Sequence, residues 1–97
     1  MTKVVLSRAA DADLANILEY SIAEHGRNAA EAYLRDFERT FGRLRDFPEL
    51  GALYTILDPK LRCLPCRQHL VFYTIGDTQI DIVRVLHKAM DIGSRLQ

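Results

Sequence analysis

The spacing of apolar residues changes once along this chain, and that change limits the folds open to it. Up to Leu44 the apolar side chains recur every three or four positions. Beyond residue 60 they cluster in short runs rich in Val, Ile and aromatic residues. The first pattern is that of helices with one buried stripe and the second that of strands. Helices gathered in one half and strands in the other specify an α+β domain, not an alternating parallel architecture.

The first half resolves into three elements. Val4, Val5 and Leu6 predict a strand over 2–7. Ser7 then suits a helix cap, with Asp11 and Asp13 early, where the helix dipole favours negative charge. Leu14, Ile17, Leu18, Ser21 and Ile22 place a stripe on a helix from Arg8 to His25, stopped by Gly26. Asn28 with Glu31 three residues on has the form of a capping box. It predicts a second helix over Ala29–Asp46, with Ala30, Leu34, Phe37, Phe41 and Leu44 as its stripe and Pro48 beyond its end. So short a link, Gly26 to Asn28, forces an antiparallel helical hairpin.

The second half predicts strands at Lys60–Leu64, with Pro65 near its end, at His69–Ile75 and at Gln79–His87. Turns fall near Cys66–Gln68 and at Gly76–Thr78. The expected order is β-α-α-β-β-β, with a polar tail from Asp91 to Gln97 that has room for one helical turn. In a regular last strand Ile80, Ile82, Arg84 and Leu86 share one face, and Asp81, Val83, Val85 and His87 the other. Leu70 and Phe72 oppose Val71, Tyr73 and Ile75 in the strand before. Both sheet faces are thus largely apolar, where a one-sided sheet would alternate with polar residues. The hairpin covers one face. We expect a partner to cover much of the other; the alternative is that the Pro48–Pro59 connection and the tail do so.

With 97 residues there is room for one domain, 1–97, and none for a separate cofactor domain. No apolar run approaches the ~18 residues of a membrane span, and the Met1–Leu6 run is too short for a signal-peptide core, so the expected location is cytoplasmic. Thirteen basic residues balance thirteen acidic ones. A free-standing nucleic-acid binder normally carries a basic excess, because phosphate contacts supply most of its affinity. The charge is unevenly spread: residues 1–59 carry a net −3 and residues 60–97 a net +3.

Arg62, Leu64 and Pro65, then His69-Leu-Val-Phe-Tyr73, then Ile80-x-Ile-Val-Arg-Val-Leu-His87 and Asp91 resemble the ParE branch of the RelE/ParE toxin superfamily. Phe47-Pro48-Glu49-Leu50-Gly51 resembles the Pro-x-x-Gly segment that follows that family's helical hairpin. Arg67 stands where the family often has a glycine. The resemblance implies a curved antiparallel sheet with a helical hairpin on one face. It implies the toxin half of a type II toxin–antitoxin pair, neutralised by a ParD-like antitoxin of ribbon-helix-helix type whose C-terminal segment wraps it. RelE-type members cleave messenger RNA on the ribosome, whereas ParE-type members inhibit DNA gyrase without catalysis.

Metal-free RNA cleavage needs a base, an acid and cations for the phosphate. Arg62, Arg67, His69, Arg84 and His87 are the candidates by type. The chain lacks both the basic excess and a C-terminal tyrosine, and Arg84 and His87 fall on opposite faces of a regular strand. These five residues are therefore expected to bind the antitoxin or the target, with no catalytic residue among them. His87 is expected to bond structurally, with Asp91 as its partner. Cys63 and Cys66 lack the four ligands of structural zinc and the helix N-terminus that favours a redox pair, so they are expected as reduced thiols. No metal or cofactor is expected. Arg35, Arg39 and Arg43 line one helix face, with Glu31 placed to pair with Arg35. Tyr20, Tyr33 and Tyr54 are expected to rim the core. No glycine-rich phosphate loop or nucleophile elbow is present.

Overall fold

The computed structural model describes residues 2–56 and 58–96. Strand β1 (Lys3–Leu6) leads directly into helix α1 (Arg8–His25), and α2 (Arg27–Asp46) follows. A 3-10 turn at Pro48–Leu50 precedes four strands: β2 (Ala52–Leu53), β3 (Arg62–Cys66), β4 (His69–Ile75) and β5 (Gln79–His87). A short helix, α3 (Ile92–Leu96), ends the described chain, and Gln97, the end of the expected tail, lies outside it. The α+β class and the hairpin-on-sheet arrangement are as the sequence predicts.

The sheet is not wholly antiparallel. Its order is β1-β5-β4-β3-β2, and β1 runs parallel to β5, with Val4 opposite Ile80. The cause is the two-residue β2, which the sequence pattern does not show. It pairs with β3 through Ala52 and Leu53 and adds one reversal of the chain, so the last strand leaves in the direction of the first.

Ser7 caps α1 as expected. Its Oγ accepts the Ala10 N–H at 3.0 Å and donates to the Val83 carbonyl at 2.8 Å, tying the helix start to β5. The Asn28–Glu31 capping box does not form. Gly26 alone links the helices: its N–H bonds Ile22 O at 2.9 Å and its carbonyl accepts the Ala30 N–H at 3.2 Å. It does so at φ 88°, which glycine reaches without strain. Asn28 is thereby drawn inside the helix, where it has no terminus to cap. The Glu31–Arg35 pair is also not among the ion pairs of the described residues; on this helix Arg39 meets Asp36 at 3.1 Å.

Phe37, Leu44, Val71, Tyr73, Ile80, Ile82 and Val85 form the main core between helices and sheet. Each such side chain contributes roughly 1.5–3 kcal/mol on leaving water. Pro65 lies within β3 and not beyond it, but β2 reaches only Arg62 and Cys63, so Pro65 occupies an edge that needs no outward N–H.

The second sheet face is covered by the chain itself, which overturns the expectation of a partner there. Phe72 and Leu86 pack with Leu61, and Tyr54, Ile92 and Leu96 close over them. Tyr54 meets Phe72 edge-on with ring centroids 5.3 Å apart. The connection and α3 do this because each carries apolar residues that a purely polar loop and tail would lack.

Candidate functional site

The strand β5 outruns its neighbour. Pairing with β1 ends at Ile82, so beyond it no strand covers the edge of β5 that faces α1. A cleft of about 690 Å3 opens there, walled by α1, the start of α2 and the far ends of β4 and β5.

A bulge shapes it. Tyr73 lies opposite Ile82 but Phe72 lies opposite Arg84, so Val83 is an extra residue on β5. The strand is therefore not regular, and its expected face assignment fails beyond Ile82. Val85 joins Ile80 and Ile82 in the main core, while Val83 and Leu86 pack on the other face. Arg84, opposite Phe72, and His87, opposite His69, still face apart as expected, yet both border the cleft.

Arg84 is held from two sides. Its Nε and Nη2 donate to the two Asp13 carboxylate oxygens at 2.8 and 2.9 Å, and its Nη1 donates to the Arg95 carbonyl at 3.0 Å. Asp13 also accepts the Val85 N–H at 2.9 Å, satisfying the edge that β1 leaves open. The Asp13 bonds push the Arg84 pKa above its ordinary value despite partial burial. The arginine is a permanent cation in this site.

His69 and His87 face each other across β4 and β5, with ring centroids 5.1 Å apart. His69 Nδ1 lies 2.5 Å from the Tyr33 hydroxyl. Burial, and then the neighbouring His87, lower the His69 pKa to about 4 against a small opposing effect of Asp13. The ring is neutral at pH 7, so Tyr33 donates to it. His87 Nδ1 accepts the Ala89 N–H at 3.0 Å. Its expected partner Asp91 instead accepts the Ser94 hydroxyl at 2.9 Å.

Arg67 stands at the flank, in the β3–β4 turn, at φ 53°. That left-handed geometry explains why glycine suits the position. Arg67 offsets its cost with an ion pair to Asp36 and by stacking its guanidinium 4.9 Å from the Tyr33 ring centroid. Arg62 lies at the opposite end of the sheet, donating to the carbonyls of Gly51 at 2.8 Å and Glu49 at 3.3 Å. The fold thus gathers His69, His87 and Arg84, sets Arg67 beside them and separates Arg62.

His25, Tyr20 and Arg95 also line the cleft and were not legible as site residues. Tyr20 does not rim the core; it is 67% exposed. The helical spacing placed it beside Ile17, but α1 has already outrun β1 at that turn. Cys63 and Cys66 are free thiols on opposite sheet faces, Cys63 against Phe72 and Cys66 in the main core, and burial raises both pKa values.

The imidazole carries a pH signature. His69 ordinarily titrates near 6.5 and in the fold near 4. The unfolded chain binds the extra proton between those values, so stability is complete above pH 6.5 and is lost as pH falls towards 4. For a half-buried ring the screened loss is about 1–2 kcal/mol. Urea unfolding of the wild type and of His69→Leu at pH 7 and pH 4.5 checks this. The variant is expected to lose less on acidification, and equal losses refute the assignment.

A small α+β domain of this form has solved counterparts. One chain titled "Chromosomal ParDE TA system from P. aeruginosa" aligns with a TM-score of 0.76 at 21% identity, over 90% of this chain and 96% of that one. Toxin ParE1 of Mycobacterium tuberculosis is 34% identical over 96 residues, covering 98% of each chain. Toxin ParE1 of Caulobacter vibrioides is 34% identical over 91 residues, 94% of each. Toxin ParE of Escherichia coli is 31% identical over 102 residues, 99% of this chain and 94% of its own. A family model described as "ParE toxin of type II toxin-antitoxin system, parDE" matches residues 4–92. The chain belongs to the ParE toxin family.

Proposed function

We propose that this chain is a toxin that disables DNA gyrase by binding it, and that a ParD-like ribbon-helix-helix antitoxin neutralises it. The observation that favours binding over chemistry is the engagement of two of the cleft's groups, Arg84 and His69. Arg84 is locked to Asp13, and His69 is held neutral with a pKa of about 4. A base that weak is far from the value that suits general catalysis near neutral pH. The balanced charge of the chain adds no pull towards ribosomal RNA. Family membership supports the toxin role, and the likeness to a chain of a ParDE system supports an antitoxin partner. Arg67, His69, Arg84 and His87 are the proposed polar contacts around the cleft, and Arg62 a separate contact at the other end of the sheet.

Induced expression tests the reading. The expected result is filamentation and a DNA-damage response while translation continues, relieved by co-expressing the antitoxin. An immediate halt in translation with cleaved messages would overturn it in favour of a RelE-like ribosome-dependent endoribonuclease. Unimpaired growth would leave a non-toxic binding module of the same fold.

A further inference from the structure

The sheet end opposite the cleft carries a second concavity. It is an open groove of about 540 Å3 between the end of α2, the 3-10 turn and the end of β4, walled by Phe47, Pro48, Leu50 and Ile75. Phe47 is 65% exposed, and Leu50 and Ile75 are each 39% exposed. Scattered exposed apolar residues are ordinary; here three meet in one small groove.

The groove is rigid. The buried Tyr73 hydroxyl donates to Pro48 O and accepts the Gly51 N–H, each at 2.7 Å. Arg62 holds the carbonyls of Glu49 and Gly51 from the same side. The Phe47 backbone is fixed by its own N–H to Arg43 O at 2.7 Å and by the Leu50 N–H to its carbonyl at 3.0 Å. Little ordering entropy is left for a ligand to overcome.

The groove is also acidic. Asp46 and Glu49 line it and no cation does; Arg43 and Arg45 of the last α2 turn and Arg62 on the Glu49 carbonyl adjoin it without lining it, and neither carboxylate joins an ion pair among the described residues. Asp77 lies in the turn two residues beyond Ile75.

We infer that this groove docks a basic, apolar-anchored segment of a partner protein. Apolar side chains of the segment seat against Phe47, Leu50 and Ile75, and flanking Lys or Arg meets Asp46 and Glu49. Nucleic acid and anionic lipid carry the wrong sign for it. A second copy docking symmetrically would set the same carboxylates against each other. The groove is separate from the cleft, since β4 runs from His69 at one to Ile75 at the other.

The test uses the full chain, isotopically labelled, with a short peptide of alternating Lys and Leu and a Glu–Leu counterpart. The Lys–Leu peptide is expected to bind saturably, with its largest amide shifts at residues 46–50 and 75–77. Affinity is expected to fall about tenfold or more in each of two variants, Phe47→Ser and Glu49→Lys, and for the Glu–Leu peptide. Both side chains are on the surface, so unchanged thermal transitions show that the fold is intact. Shifts centred on the cleft, or equal affinity for wild type and both variants, would overturn the inference. So would a concentration-dependent dimer that Phe47→Ser abolishes, which would make a second copy the occupant.

Discussion

Replacing Gly51 by alanine is expected to lower the unfolding free energy by about 3 kcal/mol, the upper part of the range for overpacking a filled site. The backbone there, at φ −76°, suits any residue, so the cost is steric alone. A Cβ on Gly51 would lie 2.6 Å from the Tyr73 hydroxyl oxygen, 2.7 Å from its Cε1 and 2.9 Å from the Cys63 carbonyl oxygen. Tyr73 is fully buried and cannot swing aside. For a chain of this size the loss corresponds to a melting temperature lower by on the order of 15 °C. Tyr73→Phe is the companion measurement. It leaves the Gly51 N–H and Pro48 carbonyl without their partner and costs about 1–3 kcal/mol. Combining the two changes recovers little, because Cε1 and the Cys63 carbonyl still obstruct the added methyl. A Gly51→Ala protein that melts with the wild type would show that the loop does not sit so close to β4.

Asp13→Ala is expected to cost about 2–3 kcal/mol. The side chains are largely shielded, Asp13 14% and Arg84 25% exposed. Removing the carboxylate leaves the Val85 N–H without its partner and the Arg84 guanidinium with only the Arg95 carbonyl and some solvent. Arg84→Ala is expected to cost less, because Asp13 keeps the Val85 bond and some solvent. A double-mutant cycle isolates the pair, with a coupling of about 1–2 kcal/mol expected. Additive losses would mean that the fork does not hold α1 to β5. Arg84→Lys is expected to recover only part of the coupling, since a point charge cannot reproduce a two-pronged contact.

What the sequence discloses is local. Ser7, the apolar stripes of α1 and α2 and the Val- and Ile-rich runs of β4 and β5 each declare themselves within a few residues, and the α+β class follows from them. Features set by distant partners do not. The parallel pairing of β1 depends on β2, whose two residues are too few to show a period. The bulge at Val83 depends on the register against β4. The capping box at Asn28 is chemically sound and loses to Gly26, which ends one helix and begins the next in a single residue. At the cleft, residue types pointed to His69, His87 and Arg84, but the Asp13 that fixes Arg84 is 71 residues away. Its position early in α1 reads as a dipole contact, and nothing local suggests that it reaches the last strand.

The place of β5 in the sheet sets a condition on biosynthesis. It lies between β1 and β4, supplies Ile80, Ile82 and Val85 to the main core, and is the last strand to be made. Domains generally fold as units while the chain emerges N-terminus first. Here the helical hairpin can form early, but β1 has no neighbour in the sheet until residues 79–82 exist. A chain stopped short of β5 has neither this interior strand nor the cleft. Folding is thereby coupled to the synthesis of β5, and products truncated before it carry no assembled cleft.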